Sequence, residues 1–149
     1  MTTPLFRTFV RAVASAFVLA GGLIHYRLWQ KTYRFTPDQV PGAWVVKAGF
    51  PVNAALSLLL AAGLIAVGYG VMMRFHLPVV IAALGLELGS IVLLVMSRWW
   101  SIFGWEEKGW DTGAKRTIVV EALAAVTLIG LLVLDGLSRR HDQDPTVPV

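Results

Sequence analysis

Residues 50–73 read FPVNAALSLLLAAGLIAVGYGVMM, and after Arg74-Phe75-His76-Leu77 residues 78–97 read PVVIAALGLELGSIVLLVMS. The first stretch has no charged residue, and the second has one, Glu87. A hydrocarbon core about 30 Å thick is crossed by about 20 mostly apolar residues in a helix, each advancing about 1.5 Å. Each stretch is therefore long enough to span a bilayer. The short connection between them, residues 74–77, leaves room only for a tight antiparallel hairpin.

Working outward, residues 12–28 form a first span, whose short charge-free centre is framed by Arg11 and Arg27, both able to snorkel to the interfaces. Arg7, Arg11 and the apolar run after them also resemble a secretory leader, with Val18-Leu19-Ala20 as a cleavage site; we read the segment as a retained span. Residues 117–136 form a fourth span. The expected fold is all-α: a polytopic membrane protein with four transmembrane helices in an up-down-up-down antiparallel bundle. Residues 1–136 make the transmembrane domain, and 137–149, which lack an apolar period, a disordered tail.

Composition supports this. Of 149 residues, 56% are hydrophobic and only 15% charged, against about 25% charged in an ordinary soluble domain. The chain contains no cysteine, which excludes disulfides, thiolate metal sites and covalent haem attachment. The net charge of +4 suits lipid headgroups better than nucleic acid. The expected setting is the cell membrane, crossed several times.

An even number of spans puts both termini and the Arg74 turn on one face. Two longer loops, 29–49 and 98–116, share the other face, and all six tryptophans fall there: Trp29, Trp44, Trp99, Trp100, Trp105 and Trp110. An interfacial aromatic belt explains tryptophan at such a depth, but belts normally form at both interfaces. One-sided loading predicts that the two loops pack into an ordered cap. Within the first loop, Thr36-Pro37-Asp38-Gln39 reads as a helix cap with a capping-box glutamine. In the second, Glu106-Glu107-Lys108 between Gly104-Trp105 and Gly109-Trp110 reads as an amphipathic segment. Pro51 fits the first turn of the second span. The loop face carries eight lysines and arginines against five on the terminal face. That count alone would make the loop face cytoplasmic, but the densities per residue of connecting chain are nearly equal; the long Pro- and Trp-rich loops favour an external cap and cytoplasmic termini.

Small residues offer close helix contacts. Ala12, Ala16 and Ala20 repeat along the first span, and Gly85 and Gly89 form a GxxxG pair on the third, serving either the bundle or a homodimer seam.

The polar residues point to function. An ionised acid at bilayer depth costs about 3 kcal/mol even on lenient scales, so Glu87 and Glu121 are expected to be turned inward, paired or protonated. Measured from the loop face, His25, Asn53, Ser97, Arg98 and Glu121 fall in one layer about 5 Å deep at about 1.5 Å per residue, with Glu87 deeper. The candidate ligand-binding residues are Glu87, His25, Asn53, Arg98 and Glu121, lining a pocket open to the loop face. A plainer alternative pairs Arg98 with Glu121 and leaves His25 and Asn53 as satisfied bundle residues. A haem between two histidines fails, because His76 is at the opposite face and His141 in the tail. A His25–Glu87–Glu121 metal site lacks diagnostic spacing. No phosphate-binding loop, zincin helix or nucleophile elbow is present, and no cofactor is expected.

Ala20-Gly21-Gly22-Leu23-Ile24-His25, a proline-containing loop and an Ala/Leu/Gly-rich second span together resemble small bacterial four-helix proteins with a DoxX-like layout. Phe103-Gly104-Trp105-Glu106-Glu107 before a fourth span bearing Glu121 is similar to uncharacterised four-span proteins of high-GC Gram-positive bacteria. The resemblance implies a quinone-related role, but Asn53 stands where the DoxX pattern has an acid. The residues favour a non-enzymatic protein that binds a lipid or hydrophobic small molecule, or is an accessory subunit beside a membrane-protein partner. The alternatives are a dimeric proton-coupled transporter and a quinone-handling anchor of a redox complex.

Overall fold

The computed structural model describes residues 4–71 and 73–142. Four helices account for nearly all of it: α1 (Pro4–Lys31), α2 (Ala43–Gly68), α3 (His76–Trp99) and α4 (Thr112–Asp142), with short 3-10 turns at Tyr33–Phe35 and Met73–Phe75. All four contain a stretch long and apolar enough to cross a membrane, which makes this a multi-pass helical bundle by length and composition. In the bundle α1 packs on α2 and α4, and α3 packs on α4 and less closely on α2.

The centre is built from small and aliphatic residues of all four helices: Ala14 and Val18, Ala61 and Leu64, Val80 and Ala83, and Ala124, Leu128 and Leu131. Lipid tails are as apolar as leucine, so these helices are held by close packing and by polar contacts. Helices α1 and α2 approach closely at Gly22. A Cβ there would lie 2.5 Å from Ser57 Cβ, so any side chain would push α1 off α2. Ser15 Oγ adds a hydrogen bond to Ala61 O at 2.9 Å across the same pair.

Several expectations change. Ala12 and Ala16 face outward; the buried stripe of α1 is Ala14, Ser15, Val18, Gly21, Gly22 and His25. Gly85 and Gly89 meet no atom within 4 Å and so seat no helix of this chain. Helix α2 begins and ends earlier than the hydropathy pattern suggests. Gly42, in a left-handed conformation (φ 72°), starts it, and Gly70 (φ 79°) ends it. At the latter end Val71 N–H bonds Ala66 O and Gly70 N–H bonds Val67 O, a Schellman closure that overrides the apolar residues beyond.

Pro51 consequently lies inside α2, two turns from its start. Proline has no N–H, so Lys47 O loses its helical donor. Trp29 Nε1 on α1 replaces it, donating to Lys47 O at 3.0 Å.

No helix forms at Thr36–Gln39. Val40 N–H closes a turn onto Pro37 O, and Asp38 pairs with Lys47. The segment around Glu106 is not helical either; Ile102 and Trp105 exchange two backbone hydrogen bonds across a turn with Phe103 and Gly104 at positive φ. The two loops do pack together. A Cβ on Gly42 would fall 2.3 Å from Trp105 N, and the Tyr33 ring lies between Phe50 (4.3 Å) and Trp105 (6.1 Å). Helix α4 starts at Thr112 because Asp111 caps it, its Oδ1 accepting from Ala114 N–H at 2.6 Å. It continues to Asp142, through the start of the segment expected to be disordered, and residues 143–149 lie outside the described residues.

Candidate functional site

Three helices bring polar side chains together inside the bundle. Glu87 (2% exposed), Glu121 (1%) and His25 (7%) are all buried. Glu87 and Glu121 pack over Gly21: Glu87 Oε2 lies 3.6 Å, and Glu121 Cγ 3.8 Å, from the position a Cβ would take there. Glycine at 21 thus leaves room for two carboxyl groups against α1.

His25 is fixed by its own helix, Nδ1–H donating to Gly21 O at 3.0 Å, and its ring lies 5.1 Å from that of Phe50. The other ring nitrogen, Nε2, faces Ser90 Oγ at 3.3 Å and Glu121 Oε1 at 3.6 Å. Ser90 Oγ in turn contacts Glu121 Oε1 at 2.5 Å. Glu121 Oε2 is buried without a hydrogen-bond partner.

A second polar cluster lies in the cap. Arg98 does not meet Glu121. It pairs with Glu107, whose carboxylate also accepts from the Tyr33 hydroxyl. Glu107 N–H donates to Ser97 O at 3.0 Å, anchoring the loop to the end of α3. Expecting Arg98 beside Glu121 came from starting the fourth span at Thr117. With α4 starting at Thr112, Glu121 is about 14 Å down its helix at about 1.5 Å per residue. By the same measure Glu87 is about 18 Å from Trp99, which is why the two acids come together and Arg98 is left above them.

Between the clusters, α2 and α3 separate around a cavity of about 320 Å³. Its walls are mostly apolar: Val45, Val46, Val52 and Leu56 from α2, Leu86, Leu93 and Leu94 from α3. Gly49, Gly85 and Gly89 also line it, and a Cβ on any of them would meet nothing within 4 Å. All three glycines are exposed, so the space is a groove open at the bundle surface between the two helices. His25, Asn53, Ser90, Ser97 and Glu107 supply its polar groups, with Trp105 and Ile102 at the cap end.

Of the five residues expected to line a pocket, His25 and Asn53 do so. Glu121 lies one hydrogen bond behind Ser90, Glu87 packs beside it over Gly21, and Arg98 belongs to the cap. Asn53 Oδ1 accepts from Ser57 Oγ at 3.3 Å. Sequence reasoning missed Ser90 and Glu107. It also missed a contact at the other end of the bundle, where His76 pairs with Asp135 and lies 3.5 Å from Arg11. Asp135 near the end of a hydrophobic run was the available signal. Among the described residues no group of three His, Asp or Glu is placed to hold a metal ion.

The arrangement can take an elongated apolar molecule between α2 and α3 and offer its polar end the amide of Asn53 and a lone pair of Ser90 Oγ. Comparison with protein-family models, with curated proteins and with solved structures finds no match to this chain.

Proposed function

We propose that this protein is a membrane-embedded binder of a small amphiphile, held between α2 and α3 with its apolar part along the helices and its polar end toward Ser90, His25 and Asn53. The observation that carries the reading is the glycine-lined cavity itself. Glycine inside a helix costs about 1 kcal/mol relative to alanine, and Gly49, Gly85 and Gly89 return no packing contact for that cost. A space kept open at a stability cost, apolar along its length and polar at defined points, is what a ligand site requires. The cap, tied down by Glu107 to Tyr33 and Arg98, closes its end. On this reading the protein lies in the cell membrane with its cap outside and its termini in the cytoplasm.

The test is native mass spectrometry of protein extracted from its own membrane in mild detergent, wild type beside Gly89→Leu. The leucine side chain enters open space, so the variant folds. Wild type should retain a bound amphiphile that Gly89→Leu lacks. Equal occupancy in the two proteins would refute the reading.

A further inference from the structure

Counting hydrogens at Ser90 leads beyond simple binding. The Ser90 Oγ to Glu121 Oε1 contact is 2.5 Å, and two oxygens so close require a hydrogen between them. On its other side Ser90 Oγ faces His25 Nε2 at 3.3 Å, where a second hydrogen completes a chain of three residues. Ser90 has one hydrogen to give. His25 Nδ1–H is already committed to Gly21 O. With both contacts made as hydrogen bonds, the second hydrogen comes from one end of the chain, either His25 Nε2 or Glu121 Oε1.

Two arrangements satisfy both contacts. In one, His25 is an imidazolium whose Nε2–H donates to Ser90, and Ser90 donates to a Glu121 carboxylate. In the other, Glu121 is a carboxylic acid that donates to Ser90, and Ser90 donates to the Nε2 lone pair of a neutral imidazole. They interconvert by a concerted shift. The Nε2–H bond breaks as Ser90 Oγ takes that proton, and the original Ser90 hydrogen forms the Oε1–H bond on Glu121. One proton moves, serine remains a hydroxyl, and no electrons are exchanged.

We infer that His25, Ser90 and Glu121 form a one-proton relay joining the α2/α3 cavity to the buried carboxyl pair, so that occupancy of the cavity is linked to where that proton sits. This rests on the cavity reading above, and it names the ligand head: a neutral hydroxyl, able to donate to the remaining lone pair of Ser90 Oγ. The relay carries no net charge in either arrangement, and a charged head would enter the apolar cavity uncompensated. The titratable groups facing the relay are His25 on α1, Glu87 on α3 and Glu121 on α4; α2 contributes only the uncharged Asn53 and Ser57 to this level. Glu121 Oε2 is buried without a partner, and Glu87 packs beside the same acid over Gly21.

The experiment is NMR of the full chain in nanodiscs, with 15N-labelled imidazole and 13C-labelled glutamate carboxyl groups followed across pH. His25 is assigned by its loss in His25→Gln. In wild type the pair gains or loses a proton as a unit, so the His25 Nε2 and Glu121 carboxyl signals should change together in each macroscopic step and share its midpoint, and Ser90→Ala should separate them by about one pH unit or more. Ser90→Thr, which keeps the hydroxyl, should restore the shared behaviour. n-Decanol, which does not titrate in this range, should shift the midpoint in wild type and leave it unmoved in Gly89→Leu. Independent midpoints in wild type, or a shared one that Ser90→Ala leaves intact, overturn the relay whether or not decanol acts. A shared midpoint that decanol fails to move keeps the relay and overturns its link to the cavity.

Discussion

At the crossing of α1 and α2, Gly22 lets two backbones close until a Cβ would sit 2.5 Å from Ser57. Across the bundle, where α2 faces α3, Gly49, Gly85 and Gly89 border space that no side chain fills. The same residue type, in helices of similar composition, makes a tight interhelical contact in one place and borders an open groove in the other. Glycine in a transmembrane helix thus reports that a side chain is unwelcome, and the neighbouring helix decides whether packing or a vacancy is the reason.

Substitutions can break that contrast. Gly22→Val should have the largest effect, destabilising the bundle by about 3 kcal/mol or more through overpacking against Ser57; unfolding midpoints in detergent measure it. A wild-type midpoint would mean that α1 and α2 are not in close contact.

The next effect concerns how the closed side is fastened. Trp29→Phe strips Lys47 O of the donor that replaces the missing Pro51 N–H and should cost about 2 kcal/mol, the range for stranding a buried acceptor. Pro51→Ala restores a helical donor to that carbonyl, so the double variant should recover much of the loss. A double-mutant cycle with no coupling would show that the indole and the proline act separately.

In the cap over the open side, Tyr33→Phe removes the hydroxyl donated to Glu107 and should cost about 1.5 kcal/mol. Hydrogen exchange across residues 100–110 would show it, with faster exchange expected there and no change in α1. The smallest stability effect should come from the cavity. Gly89→Leu should be neutral or stabilising by about 0.5–1 kcal/mol, because leucine is the better helix former and its Cβ meets no atom within 4 Å. A clear loss of stability would mean that the space is already filled by protein.

The fold was legible because the apolar stretches are long and their charges few. Their limits were not, since Gly42 and Gly70 act through backbone conformation that hydropathy does not register. Pro51 was placed at a helix start for the same reason; only a tertiary contact, from Trp29, makes it tolerable deeper in the helix. At the site, Glu87, Glu121 and His25 stood out as charge or potential charge in hydrocarbon, and they converge. Ser90 did not stand out, because serine is common in membrane helices and can satisfy itself on its own backbone; its role comes from facing α1 and α4. Arg98 was assigned the wrong partner through an error of a few residues in where α4 begins, enough to shift Glu121 by more than a turn.

The central claim is that the gap between α2 and α3 receives a ligand. It is tested most directly by photolabelling the protein in nanodiscs with a diazirine-bearing decanol and mapping the modified residues by mass spectrometry. The proposed function predicts labels concentrated on the walls of that gap, at residues such as Val52, Leu56, Leu86 and Leu93, and suppressed by excess unlabelled decanol. Labels spread evenly over the exposed faces of all four helices, unaffected by competitor, would contradict it.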